Sequence, residues 1–168
     1  MIDVETTGLT PENNDVIELG AIRIHNGQVV DEYTSLLIPN RDVPDSVQKL
    51  TGISMSMLNE KGMESKEAFE DFCSFIGSDL LVSHNIPFDL SFLNMMSKRY
   101  DMPLLENSTE DTFRIAKKVL YNLGRYRLSD VADHLGVESV QQHRALADCY
   151  VTFEVYEKLR KVKVNENS

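Results

Sequence analysis

The pair Asn26-Gly27 constrains this chain most. It stands between two stretches rich in apolar residues, 16–24 and 28–38. Asparagine tolerates positive φ and glycine has no Cβ, so the pair suits the tight two-residue loop of a β-hairpin. Pro39-Asn40 ends the returning strand. A third strand comes first: residues 1–5 read as extended and break at Thr6-Thr7-Gly8.

After residue 40 the period changes. Short helices are expected over 44–50 and 54–59, separated by Gly52. Phe69, Phe72, Cys73 and Ile76 fall at i, i+3, i+4 and i+7, which gives an amphipathic helix over 64–76, stopped by Gly77. Residues 80–83 read as a short buried strand. Helices follow over 87–99, with Pro87 near the first turn, and over 112–120 and 128–135. Ser129 is the candidate cap of the helix over 128–135, and Gly136 closes it. The last helix, 144–161, carries Leu146, Cys149, Tyr150, Phe153 and Tyr156 on one face. The order β-β-β-α-β-α, then more helices, predicts an α/β domain: a mixed sheet with helices packed on it. One domain over 1–162 is expected, with a polar tail over 163–168.

Several classes are disfavoured. No apolar run nears the roughly 20 residues of a membrane helix. Met1-Ile2-Asp3 shows no basic region followed by an apolar core, so no signal peptide is visible. A cytoplasmic protein without a membrane partner is expected. Cys73 and Cys149 form no C-x-x-C and read as two buried thiols on helix stripes. The net charge of −10 argues against non-specific duplex binding, which rests on cationic neutralisation of phosphates. It leaves room for an enzyme that grips a few nucleotides through metal ions.

The chemistry-bearing residues fall in three places. Asp3 and Glu5 alternate with Val4, so a strand points both carboxylates to one face. Such a pair takes up a proton or is compensated by a cation, and hard divalent ions suit oxygen ligands. Two solvated acids on a surface strand are the plain alternative. Thr6-Thr7-Gly8-Leu9 then turns the chain and can offer N–H groups and hydroxyls to a phosphate or sugar. His84-Asn85 ends the strand over 80–83, and Asp89 lies in the first turn of the next helix, where an acid also suits the helix dipole. His143 starts the last helix, and Asp148 lies beside its apolar stripe, where an acid needs a partner. His25 and His134 match no pattern and read as surface or structural residues.

Together D-x-E-T-T-G-L, H-N-x-x-F-D and H-R-A-x-x-D resemble the three motifs of the DEDD superfamily of 3′→5′ exonucleases, in its histidine branch. The chain is most similar to the proofreading exonucleases of bacterial DNA polymerase III, either the epsilon subunit or the PolC-type exonuclease domain. Ile38-Pro39, Val43-Pro44, Leu50-Thr51-Gly52-Ile53 and Arg127-Leu128-Ser129-Asp130-Val131-Ala132 extend the likeness over about residues 1–160. The resemblance implies an RNase H-like fold, with three antiparallel strands followed by parallel ones and flanking helices. It implies two divalent cations, Mg²⁺ or Mn²⁺, bound by Asp3, Glu5, Asp89 and Asp148, with His143 as general base. Thr6, Thr7, Gly8, Leu9, His84, Asn85 and Phe88 would meet the substrate, although Phe88 equally suits core packing.

The implied function is hydrolysis at nucleic-acid 3′ ends, single-stranded or frayed DNA first, releasing nucleoside 5′-monophosphates for proofreading or repair. A DNA polymerase subunit is an implied partner. An RNA- or oligonucleotide-trimming exonuclease is the alternative, and an inactive nucleic-acid-binding or polymerase-docking module a more distant one. The likeness departs at one point. Family members carry an apolar run before the D-x-E, whereas Met1-Ile2 alone precede Asp3 here. If the strand is that short, Asp3 is expected to be loosely held and metal affinity reduced.

Overall fold

The computed structural model describes residues 1–138 and 143–165. Strands β1 (Ile2–Thr6), β2 (Val16–His25) and β3 (Gln28–Leu36) form an antiparallel sheet in the order β1-β2-β3. The β2–β3 hairpin turns on Asn26 at φ 51° and Gly27 at φ 74°. Both central residues are left-handed, the condition that matches loop twist to strand twist.

Three helices follow: α1 (Asp45–Thr51), α2 (Met55–Lys61) and α3 (Ser65–Ile76). The Glu64 carboxylate accepts the Lys66 and Glu67 amides at 2.9 and 3.0 Å and so starts α3. Strand β4 (Leu81–Ser83) then leads into α4 (Ile86–Arg99). After α4 the chain forms β5 (Thr109–Asp111), which pairs in parallel with β4. The remaining helices are α5 (Thr112–Val119), α6 (Leu128–Leu135) and α7 (Ala145–Asn165). The expected α/β layering is present, with antiparallel strands first and parallel strands after them. The hydrogen-bonded ladders are two, β1-β2-β3 and β4-β5, with β4 lying beside β1.

The sheet has two distinct faces. Ile2, Val4, Leu19 and Ala21 point to α3 and α4, where Phe69, Phe72 and Phe92 are fully buried. Each such ring contributes about 2–3 kcal/mol through burial. Met1 and Ile22 point the other way, to Cys149 and Tyr156 of α7. Helices α5 and α6 close over the far side of α7 through Ala116, Val131, Val151, Val155 and Leu159.

Several sequence expectations change. Strand β5 has no apolar alternation and was not expected; it is held by its ladder to β4. Ser129 does not cap α6. The cap position is Arg127, whose amide donates to Asp130 Oδ2 at 3.2 Å. Tyr150 is exposed rather than on the buried face, and its hydroxyl donates to Glu32 at 2.9 Å. Helix α7 is covered by the sheet on one side and by α5 and α6 on the other, so its burial spreads over two faces instead of one stripe. Cys149 is buried, but Cys73 is only half-buried at the rim of the α3 face. Helix α7 also runs to Asn165, three residues into the stretch read as a tail. Residues 166–168 of that stretch lie outside the described residues.

Candidate active site

Strand β1 is five residues long, yet each residue pairs with β2. Met1 adds two bonds: its amino group donates to the Ile22 carbonyl at 2.7 Å and its carbonyl accepts the Ile22 amide at 3.0 Å. The backbone of Asp3 is thus fixed inside a continuous ladder. Asp3 lies opposite Gly20 and Glu5 opposite Glu18. Alternation puts Met1, Asp3 and Glu5 on the α7 face of the sheet.

Helix α7 begins on that face because β2 makes room for it. A Cβ on Gly20 would lie 2.5 Å from the Ala145 carbonyl carbon and 2.6 Å from the Leu146 nitrogen, so only glycine permits this approach. The first turn of α7 carries Asp148, and His143 stands just before it. His143 has φ 60°, and its amide donates to Asp148 Oδ2 at 3.0 Å. Ligating atoms of Glu5, His143 and Asp148 all lie within 4.8 Å of one another.

Asp89 reaches the same place from α4. The turn before that helix is left-handed at Asn85, φ 76°, whose amide donates to Asp111 Oδ1 at 3.0 Å. Asp89 is 3% exposed and accepts the Ser83 hydroxyl at 2.7 Å. Asp3 feels all the other acids. Burial first, then Asp89, Glu5, Asp148 and Glu18, hold its carboxyl well above the usual range. Burial, followed by the Asp148 and Glu18 charges, pushes Glu5 up to about 8. Burial also raises Asp89 to about 7, against bonds from Ser83 and from the Asp89 and Val4 backbone. Asp148 rises to about 6 through burial, opposed by the His143 amide. Four acids with raised proton affinity on one spot form a site that protons or cations must compensate.

The residues expected to meet substrate differ in exposure and in the bonds they make. Leu9 is 82% exposed on the loop after β1. The Thr6 hydroxyl donates to the Gly8 carbonyl at 2.6 Å. Thr7 is buried, and its hydroxyl accepts the Asp15 amide at 2.9 Å. Asn85 is exposed, whereas Phe88 is half-buried with its ring centroid 5.1 Å from that of Phe92. Both ring nitrogens of His84 are engaged inside the protein, Nδ1 with the Thr112 hydroxyl at 2.9 Å and Nε2 with the Tyr126 carbonyl at 2.7 Å. Burial lowers the His84 pKa, which favours the neutral ring. His25 and His134 are exposed. A separate groove of about 530 Å³ lies at the other end of β1, around Met1, Ile24, Leu81 and Tyr156, and holds none of the four acids.

Sequence reasoning missed Glu18. It is 1% exposed and accepts a fork from Arg144, Nε at 3.1 Å and Nη2 at 2.7 Å, together with the Ala145 amide at 2.9 Å. A single acid inside the otherwise apolar run 16–22 was the available signal. Asp15 was missed as well. It is 3% exposed, receives Arg99 at 2.8 Å and Arg41 at 3.4 Å, and accepts the Asn40 amide at 3.0 Å.

Comparison with known proteins places this architecture. Solved structures share the fold. Exonuclease X in complex with 5′ overhanging duplex DNA aligns with TM-score 0.73 at 22% identity, covering 95% of this chain and 89% of that one. E. coli Exonuclease I in complex with a dA16 oligonucleotide aligns with TM-score 0.86 at 19% identity, over 98% of this chain and 41% of that one. The DNA polymerase III subunit epsilon of Aquifex aeolicus is 33% identical over 160 residues, 95% of this chain and 78% of that protein. The PolC-type DNA polymerase III of Oceanobacillus iheyensis is 37% identical over 152 residues, 90% of this chain. The chain spans only 11% of the length of that polymerase. The family model RNase_T, described as Exonuclease, matches residues 1–156, and the chain belongs to this exonuclease family.

Proposed function

We propose that this chain hydrolyses phosphodiester bonds one nucleotide at a time from the 3′ end of DNA, releasing nucleoside 5′-monophosphates. The observation that carries the reading is the meeting of Glu5, His143 and Asp148 within 4.8 Å on the face that also bears Asp3. The donor set fits a divalent metal centre. It consists of hard oxygen ligands, and burial first, with neighbouring carboxylates after it, makes each acid bind a proton more tightly than usual. Asp3, Glu5, Asp89 and Asp148 would hold two Mg²⁺ or Mn²⁺ ions, whose charge of four matches the four carboxylates. Bound there, the cations would supply positive charge to the attacking and leaving oxygens of an in-line displacement.

The remaining work falls to side chains. His143 accepts the proton of the attacking water, a task suited to an imidazole at neutral pH. The Asp148 carboxylate holds the His143 backbone, which fixes the root of that side chain. Leu9, exposed on the loop after β1, offers an apolar face for the terminal base to rest on. Asn85 and Phe88, at the start of α4, would contact the nucleotide, and the Thr6-Thr7-Gly8 turn would add backbone groups. The names of the relatives support DNA as the polymer and a DNA polymerase subunit as partner. No described helix is long and apolar enough to cross a membrane.

The test is mononucleotide release from single-stranded DNA, single-stranded RNA and a mismatched primer end, with Mn²⁺ and with a chelator. Release from DNA that stops on chelation, and that Asp3→Asn abolishes, is expected. Faster release from RNA would transfer the reading to an exoribonuclease. No release from any substrate by folded, Mn²⁺-loaded protein would remove the enzymatic reading.

A further inference from the structure

Glu18 takes no direct part in the proposed chemistry, yet it is almost completely buried beside four other acids. A fifth carboxylate there adds repulsion: it raises the proton affinity of Asp3, Glu5 and Asp148 alike. A residue with that electrostatic effect needs a compensating role. Its bonds indicate one. Both oxygens are used: Oε1 receives Arg144 Nε and Nη2 at 3.1 and 2.7 Å, and Oε2 receives Arg144 Nε at 3.1 Å and the Ala145 amide at 2.9 Å. Arg144 and Ala145 join His143 to the first turn of α7. The Arg144 carbonyl in turn accepts the Asp148 amide at 2.9 Å, the opening bond of that helix.

Register explains why the position matters. Glu18 lies directly opposite Glu5 on the neighbouring strand. Two residues along the same face, Gly20 admits the Ala145 backbone. Strand β2 thus carries a seat, Gly20, and a clamp, Glu18, for the start of α7, both in fixed register with β1. A planar guanidinium held through two of its own N–H groups has a defined orientation, which a single ammonium contact lacks.

We propose that the Glu18–Arg144 pair is a positioning device: it locks the His143 turn and the start of α7 to β2, and so sets His143 and Asp148 against Glu5. This rests on the exonuclease reading above. It makes Glu18 and Arg144 positioning residues rather than catalytic ones, since they act through His143 and Asp148. Groups that orient ligands from behind change metal affinity or activity by about 10- to 100-fold when removed.

The test compares Glu18→Gln, Arg144→Gln, the double variant and Arg144→Lys in the full chain. Mn²⁺ binding is read by calorimetry without nucleic acid, kcat and KM on a single-stranded oligodeoxynucleotide, and Tm by circular dichroism. Charge alone predicts opposite signs: losing the Glu18 anion would weaken Mn²⁺ binding, and losing the Arg144 cation would strengthen it. Positioning predicts that both single variants weaken it. It also predicts kcat losses of about 10-fold or more with KM changed little, and a double variant no worse than the singles. Arg144→Lys keeps the charge and loses the fork, so it also guards against a poorly folding Arg144→Gln; it should lose kcat too. Tighter Mn²⁺ binding by a folded Arg144→Gln, additive losses, or full kcat below a lowered Tm would each overturn the proposal. A wild-type chain that binds Mn²⁺ but releases no nucleotide would instead overturn the exonuclease reading, leaving the Mn²⁺ comparison to judge the pair.

Discussion

Glu5→Gln should stabilise the metal-free protein, and only above acidic pH. Burial, then Asp148 and Glu18, push the Glu5 carboxyl from 4.5 to about 8, with Arg144 opposing. Below pH 4.5 folded and unfolded chains both hold the proton, and the contribution of Glu5 to stability is fully present. As the pH rises the unfolded chain releases the proton while the folded chain keeps it, so stability falls until the pH passes about 8. At about 1.4 kcal/mol per pH unit the ceiling is near 5 kcal/mol, and solvent at the rim of the site lowers it to about 2–4 kcal/mol. A chain of this size shifts its Tm by about 2–4 °C per kcal/mol. In chelator at pH 8 the variant should therefore melt about 4–16 °C above wild type, and at pH 4.5 the two should nearly coincide. His84 has the opposite dependence, because a depressed imidazole loses stability as pH falls, but it is common to both proteins and cancels. Excess Mn²⁺ should reverse the order at pH 8, since binding stabilises the chain that keeps its ligands. Circular dichroism melts between pH 4.5 and 8.5 measure all of this. Equal Tm values at pH 8 in chelator would refute the crowding of Glu5 by buried acids.

Two further substitutions probe the frame around the acids. Gly20→Ala puts a Cβ 2.5 Å from the Ala145 backbone and should cost about 1–3 kcal/mol, with Mn²⁺-dependent turnover falling more than the folded fraction does; an unchanged urea midpoint would contradict the close approach. His84→Phe keeps a ring but loses the bonds to Thr112 and the Tyr126 carbonyl, which should lower stability by about 2 kcal/mol in urea unfolding; a loss under about 0.5 kcal/mol would show that the bonds are dispensable.

The parts of this molecule legible in sequence are those that local spacing encodes. The hairpin at Asn26-Gly27, the face of α3 and the alternation of Asp3 and Glu5 each follow from neighbours a few positions apart. What escaped depends on partners far along the chain. Glu18 and Arg144 are separated by 126 positions, and Asp15 and Arg99 by 84. No window of sequence holds both members of either pair. Strand β5 escaped for a related reason: Thr109-Glu110-Asp111 has no β pattern of its own and is a strand only because β4 lies alongside. Tyr150 misled because a helix covered on two sides has no single apolar stripe. His84 illustrates the limit of motif reading: its place in H-N-x-x-F-D was plain, while the use of both its nitrogens by Thr112 and Tyr126 was not.

The bond between the His143 amide and Asp148 Oδ2 has a consequence for how this site responds to its surroundings. A histidine at φ 60° sits in a backbone region that is disfavoured without support, and the support here is a carboxylate that is also a proposed ligand. Occupancy and loop conformation are therefore reciprocally linked. Anything that orders the His143 turn aims Asp148 before a cation arrives, and anything that withdraws Asp148 releases the backbone from which the proposed base projects. In the proposed chemistry, loss of this ligand and misplacement of the base would be one event.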